Sequence, residues 1–513
     1  MTALSRASGQ TDRFLAVSSA GLAVLVIALI LRFPDMAENF SNGYQPFIAR
    51  SFSHYLIYVV TIITLVTLAL FLTPWGKIRL GQDSDRPEFS RFSWFAMLFS
   101  AGIGTGILFW GVAEPIFHLQ SNPFQALYGI APMSEDAGRL AETITLFHWG
   151  FHGWAVYSLV GLCLGYFAFR KGLPLAISSA LYPLIGDRVY GPIGYIIDLL
   201  AIFSTLFGTA VTLGFGASQM SQGLDVLFGI EATPLTKLVL MLSVAMIATI
   251  SAVSGVAKGI KRISQLNIWL TTILLLTLIL LGPTAFILST FFDGTVDYLR
   301  LFIPMGIWVE TDVSESWQSG WTLFYWGWWV AWGPFVGMFF ARISKGRTIR
   351  EYLLGTLLIP TLVGFFFLTV LGGAALDIEF NQGGGLVELV NQDMTSSLFA
   401  MFERTAAGWG AVFLSALATF LVITWFVTSS DSATLVISTI ISRGATEPPW
   451  VLRVFWGMAI ALTAGPLLWF GGLQALQGAC TIIAIPFALV TLLMLLGLLW
   501  SLLKDNRAVA NAG

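Results

Sequence analysis

Charged side chains are scarce in this sequence, and their scarcity excludes several classes of protein. Only 11% of the 513 residues are charged, whereas 56% are hydrophobic and the mean hydropathy is +0.81. A water-soluble chain of this composition would expose more apolar surface than soluble proteins tolerate. The net charge of −2 also provides no basic excess for a nucleic acid. We therefore exclude a soluble enzyme, a nucleic-acid-binding protein and a disordered scaffold.

Cysteine and histidine are also rare. The two cysteines, Cys163 and Cys480, lie in apolar runs, so no disulfide framework is expected. Four histidines provide few ligands for a metal cluster. His148 and His152 are four residues apart but have no visible third ligand, so packing or hydrogen bonding is the simpler interpretation. The sequence predicts no cofactor.

Long apolar runs are what the sequence has in abundance. A helix needs about 20 apolar residues to cross a bilayer. Twelve segments meet this requirement, near residues 14–34, 53–75, 92–116, 141–169, 190–223, 234–256, 263–290, 319–342, 351–375, 407–440, 449–471 and 475–503. The sequence therefore predicts an all-α polytopic membrane protein with twelve transmembrane helices in the lipid bilayer.

The basic residues orient these segments. If both termini face the cytoplasm, 20 of the 26 Lys and Arg residues fall in cytoplasmic segments and six in outer loops. This bias follows the positive-inside rule. A missed segment would invert every later loop and remove the bias, so the distribution favours twelve spans and two cytoplasmic termini.

Glycines interrupt the third segment at Gly102, Gly104 and Gly106. The spacing of Gly102 and Gly106 suits close helix packing. Three alternate glycines exceed what packing needs and favour an unwound stretch whose backbone faces a ligand. Glu114 follows on the same segment, and a carboxylate there needs a partner or must reach the interface.

Aromatic residues are concentrated in the fourth and eighth segments. An interfacial belt explains the outermost tryptophans of the eighth segment but not those well inside it. On two converging helices the inner rings would either pack together or form a box for a cation that lacks hydrogen-bond donors. The residues concerned are Trp149, Trp154, Tyr157, Trp328, Trp329 and Trp332.

Hydroxyl side chains mark two further segments. Residues 428–432 read TSSDS, a polar run that is costly in a bilayer unless it lines a cavity or is buried in protein. Its hydroxyl and carbonyl oxygens suit Na⁺. Thr205 and Thr209 form a second pair, although threonine commonly bonds to its own helix backbone.

Three motifs together resemble the betaine/carnitine/choline transporter (BCCT) family. The first is WGWWVAWGPFVG at residues 326–337, followed by ARISKGRTIR at 341–350. The second is the glycine motif at 102–106 with AEP at 113–115, and the third is the polar run at 428–432. The resemblance extends over nearly the whole chain in consistent order.

The resemblance implies a LeuT-like core of two inverted five-helix repeats, spans 3–7 and 8–12, in a bacterial inner-membrane protein. Residues 1–91 would form the cytoplasmic N-terminus and two peripheral helices. Residues 92–318 and 319–503 would form the repeats, the first with its periplasmic connection, and 504–513 a short cytoplasmic tail. Family members are typically homotrimers.

The resemblance also implies the roles of individual residues. Trp149, Trp154, Tyr157 and Trp329 would form the aromatic box, flanked by Trp328 and Trp332. The backbone from Gly102 through Gly104 to Gly106 would meet the substrate's carboxylate end. In sodium-coupled members, one Na⁺ site would comprise Ser100, Ile103, Trp425, Thr428 and Ser429, and a second Thr205, Thr209 and Phe335.

The expected function is Na⁺-coupled uptake of a zwitterionic methylated onium compound, such as glycine betaine or dimethylsulfoniopropionate. The alternative is a choline or carnitine carrier, driven by protons or working by exchange. Choline-transporting relatives carry an aspartate at the position of Gly106, so this glycine favours a zwitterion. An intramembrane enzyme using His148, His152 and Asp431 lacks nucleophile–base spacing, and a sensor without transport lacks an output domain.

Overall fold

The computed structural model describes residues 10–102, 104–253, 257–311, 317–445 and 447–510. The predicted sodium ligand Ile103 lies outside these residues. Over the described ranges the chain is helical apart from its connections, with one isolated β-bridge between Arg79 and Thr348. Within them, nine helical stretches are long and apolar enough to cross a membrane. These observations confirm an all-α protein with multiple apolar helices.

Helices of the first half begin at capping residues and prolines that suit helix N-termini. Asp12 accepts a hydrogen bond from the backbone of Leu15, and Pro34 opens the second helix. The helices are α1 (Arg13–Arg32), α2 (Pro34–Leu72), α3 (Arg91–Gly102), α4 (Gly106–Gln120), α5 (Pro123–Tyr128), α6 (Glu135–Trp149), α7 (Phe151–Gly165), α8 (Tyr182–Ile185), α9 (Pro192–Phe228) and α10 (Pro234–Val253).

The second half of the chain contains the helix Thr322–Ile343, which lies at the centre of the protein. The helices are α11 (Ala257–Leu281), α12 (Thr284–Ile307), α13 (Trp317–Gly320), α14 (Thr322–Ile343), α15 (Ile349–Leu353), α16 (Ile359–Asn381), α17 (Leu386–Gln392), α18 (Ser397–Ala406), α19 (Trp409–Ile441) and α20 (Trp450–Ala510). A π-helical turn, Leu354–Leu358, joins α15 to α16.

Three predicted segments are broken or shortened by glycine or proline. The third segment divides into α3 and α4 at its glycines, and the fourth divides at Gly150, whose backbone is not helical. The segment predicted over 263–290 is wrong at its end, because α11 stops at Leu281 before Pro283 and residues 284–307 form α12. Helix α20 contains the positive-φ residue Gly472, which separates two helical runs.

Helix α14 is buried on all sides. Twenty of its 22 residues are buried, and it packs along α7, α9 and α20. A helix that is apolar all round is stable only inside a protein or a membrane. The fold therefore places the tryptophan-rich segment in the interior, against the helix that carries Tyr157.

Candidate functional site

An aromatic cavity lies where α4, α6, α7, α9 and α14 meet. It is lined by Gly104, Gly106, Trp149, Tyr157, Thr212, Trp328, Trp329 and Trp332. Seven of the nine predicted substrate residues are therefore brought together. The other two are placed elsewhere: Gly102 ends α3, and Trp154 packs behind the lining, 6.1 Å from the Trp329 ring centroid.

The rings approach one another mainly by their edges. The Trp149 ring lies 5.5 Å from Trp329 at an interplanar angle of 90°, and 6.0 Å from Trp328 at 83°. Tyr157 lies 5.2 Å from Trp329 at 67°. Edge-to-face contacts are a preferred geometry of aromatic pairs. Because the ring planes differ so strongly, the cavity is enclosed by π systems that face different directions.

Two glycines allow the tryptophans to approach the backbone. A Cβ atom at Gly106 would lie 2.3 Å from Cη2 of Trp328, and one at Gly153 would lie 2.5 Å from Cδ2 and Cε2 of Trp329. Any side chain at either position would displace the ring. The glycine motif thus has a packing role at Gly106 in addition to the helix interruption between α3 and α4.

Hydrogen bonds fix two of the indoles. Trp329 Nε1 donates to the carbonyl oxygen of His148 over 3.0 Å. Trp149 Nε1 donates to Oε2 of Glu114 over 3.1 Å and is 3.2 Å from the hydroxyl of Tyr325. Each indole is therefore anchored to a group outside the cavity lining, which restricts rotation of its ring.

The hydroxyl residues lie on α9 and α19, which pack against each other. Thr428 Oγ1 donates to the carbonyl of Trp425 over 2.9 Å, and both residues are buried. The hydroxyls of Thr205 and Thr209 donate to the carbonyls four residues earlier in α9. Ser429 is also buried, whereas the side chain of Ser100 is outside what the structure describes.

Helix α9 contacts α14 close to the predicted second set of sodium ligands. A Cβ at Gly208 would lie 2.6 Å from Cδ1 of Trp332, and the Trp332 ring lies 5.3 Å from Phe335. Gly208 directly precedes Thr209. The structure therefore brings this part of α9 near the Trp332–Phe335 turn of α14.

Sequence reasoning missed three residues at or beside the cavity. Thr212 lines it, and its position three residues after Thr209 on one helix face was a usable signal. Tyr325 contacts Trp149 and lies within the tryptophan-rich segment. Phe215 packs 5.3 Å from Trp328, and nothing in the sequence distinguishes it from an ordinary core phenylalanine.

A separate ionic cluster joins the start of α1 to α9 and the end of α19. Arg443 contacts the buried Asp198 at 2.8 Å and Asp12 at 3.0 Å. Burial raises the pKa of Asp12, but hydrogen bonds from the Leu15 backbone and the Arg443 guanidinium outweigh it and hold the pKa below its ordinary value. Asp198 also accepts hydrogen bonds from Ser178, so its buried charge is well compensated.

Comparison with known proteins gives the family context. The model of "BCCT, betaine/carnitine/choline family transporter" matches residues 14–507. The "Probable glycine betaine transporter" of Desulfitobacterium hafniense (strain Y51) is 41% identical, covering 95% of this chain and 97% of that protein. The "Glycine betaine transporter OpuD" of Bacillus subtilis (strain 168) is 40% identical, covering 93% and 92%.

A relative whose name gives a different substrate is similarly close in sequence. The "High-affinity choline transport protein" of Escherichia coli (strain K12) is 38% identical over 96% of this chain and 72% of that protein. The match over nearly the whole chain identifies a membrane transporter and not an enzyme. The chain therefore belongs to the betaine/carnitine/choline transporter family.

Proposed function

We propose that this transporter takes up a zwitterionic methylated onium compound, glycine betaine or a close relative, by Na⁺-coupled alternating access. The aromatic cavity is the observation that carries the proposal. Four tryptophans and one tyrosine line it, and each ring face attracts a cation by about 0.5–2 kcal/mol. A trimethylammonium group has no hydrogen to donate, so π faces suit it better than carbonyls or carboxamides do.

The opposite end of a zwitterion needs a different environment. Helix α4 begins at Gly106, in the cavity wall, and its N-cap residue Thr105 makes no side-chain cap hydrogen bond. The N-terminus of a helix carries partial positive charge and favours a carboxylate. The interrupted backbone from Gly102 to Gly106 is therefore the proposed carboxylate side. A sulfonium such as dimethylsulfoniopropionate meets the same two requirements.

Coupling to Na⁺ is proposed through oxygen ligands on both repeats. The first site would comprise Ser100, Ile103, Trp425, Thr428 and Ser429. Thr428 donates its hydroxyl hydrogen to the Trp425 carbonyl, which leaves the lone pairs of its oxygen available to a cation. The second site would comprise Thr205, Thr209 and Phe335, where α9 meets α14.

The proposed architecture has twelve spans. Nine of the spans correspond to the long apolar stretches, of which the last is counted twice below. The interrupted pair α3–α4 adds one span, and α14 adds another, its hydropathy being lowered by its many tryptophans. The last stretch, Trp450–Asp505, has 56 residues. At 1.5 Å per residue it is about 80 Å long, enough for two crossings of a core of about 30 Å.

This count fits two inverted five-helix repeats, at residues 92–318 and 319–503, in a LeuT-like core. An even number of spans puts both termini on one side of the membrane, and the distribution of basic residues favours the cytoplasm for them and for the tail at 504–513. Residues 1–91 would then carry two peripheral helices in an inner-membrane homotrimer.

A choline or carnitine carrier is the second candidate, and the Escherichia coli choline transport protein supports it. The cavity argues for the zwitterion instead. Because a Cβ at Gly106 would lie 2.3 Å from Trp328, the cavity as folded has no room for the aspartate expected in choline carriers. A zwitterion supplies its own negative charge and does not need that residue.

Uptake into proteoliposomes tests the proposal. Purified protein is expected to accumulate glycine betaine when an inward Na⁺ gradient is imposed, and not when K⁺ replaces Na⁺. Trp329→Leu should abolish binding, measured by calorimetric titration. Trp326→Leu is the matched control, because Trp326 is fully buried on the same helix but does not line the cavity. Betaine uptake that ignores Na⁺, or binding that prefers choline, would favour the second candidate.

The sodium ligands are tested separately. Thr428→Ala and Ser429→Ala should raise the Na⁺ concentration needed for half-maximal uptake. Thr434→Ala is the control, because its buried hydroxyl also bonds to a carbonyl three residues earlier in α19 but is outside the proposed set. An unchanged Na⁺ dependence in both variants would exclude this site.

A further inference from the structure

Glu114 connects the cavity to a polar cluster behind it. Its carboxylate is fully buried on α4. Oε1 lies 2.6 Å from Nδ1 of His148, and Oε2 accepts hydrogen bonds from Nε1 of Trp149 and from the hydroxyl of Tyr325. One carboxylate on α4 thus connects α6, which carries His148 and Trp149, to Tyr325 on α14. The family resemblance gave this glutamate no role in binding.

The hydrogen-bonding partners of Glu114 can satisfy an ionised carboxylate. The indole N–H of Trp149 can only donate. Nε2 of His148 lies 3.0 Å from Oγ1 of Thr322, so Thr322 can donate to Nε2 while Nδ1–H donates to Glu114. With this tautomer every hydrogen bond has one donor and one acceptor, and both carboxylate oxygens accept.

A negative charge here acts on the cavity through Trp149. The indole of Trp149 lies between the carboxylate and the cavity, because its N–H is bonded to Glu114 while the residue lines the cavity. The charge therefore attracts a cation placed against that ring, and low polarity strengthens the attraction. The same hydrogen bond holds the ring nearly perpendicular to Trp328 and Trp329.

We propose that Glu114 is a positioning and specificity-determining residue, which fixes the Trp149 ring and directs the cationic end of the substrate to this wall. The proposal rests on the proposed onium function. It predicts two separable effects of Glu114: geometry, which affects every onium ligand, and charge, which affects a net cation more than a zwitterion. A residue needed only for packing would not distinguish ligands by charge.

The test uses calorimetric titration of the purified full-length protein with glycine betaine and with choline, both in Na⁺. Glu114→Gln should weaken betaine binding about tenfold, since it removes the charge and turns an amide N–H toward a donor. It should weaken choline binding by a further factor of about three. Glu114→Asp retains the charge, so the ratio of the two affinities should return toward the wild-type ratio even if both affinities fall.

Glu142→Gln is the matched control. Glu142, like Glu114, is a fully buried glutamate, and it lies on α6. It does not line the cavity, so both affinities should stay within about twofold of wild type. Tyr325→Phe provides a second variant should Glu114→Gln not fold. It removes one donor from the carboxylate and should loosen betaine binding in the same direction.

The outcomes separate this proposal from the proposed function. If wild type binds no onium compound, the proposed function itself fails. If wild type binds betaine but Glu114→Gln binds both ligands as wild type does, or weakens both by the same factor, the role of Glu114 in specificity is refuted. Inhibition by Zn²⁺ that His118→Ala removes would instead identify a metal site, because Glu114, His118 and His148 have ligand atoms within 4.8 Å of one another.

Discussion

Replacing Gly153 by alanine tests whether the position of the Trp329 ring sets substrate affinity. The new Cβ would lie 2.5 Å from Cδ2 and Cε2 of Trp329, whereas carbon atoms pack best at about 3.5–4.0 Å. The ring must therefore retreat by about 1 Å. It cannot do so freely, because Nε1 of Trp329 is bonded to the carbonyl of His148 at 3.0 Å.

The magnitude follows from these contacts. Overpacking of a filled interior costs about 1–3 kcal/mol, and loss of the Trp329 hydrogen bond costs about 0.5–1.5 kcal/mol. Gly153 lies in the first turn of α7, so alanine there recovers at most about 0.5–1 kcal/mol relative to glycine. We expect Gly153→Ala to lower the free energy of unfolding by about 1–3 kcal/mol. Loss of one ring contact, about 0.5–2 kcal/mol, weakens betaine binding by about 2- to 30-fold.

Calorimetric titration with glycine betaine and thermal unfolding in the same detergent measure both effects. Gly364→Ala is the control, because Gly364 is helical in α16 and a Cβ there meets no atom within 4 Å. It should bind betaine normally and unfold at the same or a higher temperature. If folded Gly153→Ala binds betaine with wild-type affinity, the Trp329 ring is not a wall of the binding site.

Three further predictions concern the rest of the fold. Arg443→Met should destabilise the protein by about 3–5 kcal/mol in thermal unfolding, because it leaves the buried Asp198 without its cation. Adding Asp198→Asn should restore part of the lost stability, and a double variant no more stable than Arg443→Met would contradict the pairing. The pKa of Asp12 is lower in the native state than its ordinary value of about 3.9, so the ionised Asp12 stabilises the fold above that pH. This stability is lost as the pH falls through the native pKa, so wild type should lose more stability between pH 6 and pH 3 than Asp12→Asn does. Cys163 and Cys480 are fully buried, so maleimide should label them only after denaturation, and labelling of folded protein would contradict this packing.

Local sequence rules single out the residues of α14 that line the cavity. Trp328 and Trp332 are four residues apart and share one helix face, and both line the cavity. The three alternate glycines predicted an interruption, and α3 and α4 are separate helices at that point. These features depend only on residues close in sequence, which is why periodicity and composition reveal them.

The position of Trp154 relative to Trp149 has a local reason. In a continuous helix, residues five apart such as Trp149 and Trp154 would be separated by about 140° around the axis. The chain is not helical at Gly150, where φ is −86° and ψ is −149°, so α6 and α7 do not share a helical phase. Trp149 and Tyr157 reach the cavity, whereas Trp154 packs behind Trp329.

Pairings between distant residues could not be predicted from one sequence. Glu114 and Tyr325 are 211 residues apart, and Asp198 and Arg443 are 245 apart. The cost of an unpaired charge in a membrane protein requires that each buried carboxylate have a partner, but it does not identify the partner. That requirement has a functional consequence here. Glu114 meets it with the indole of a cavity tryptophan, so the group that compensates its charge also forms the wall against which an onium cation would lie.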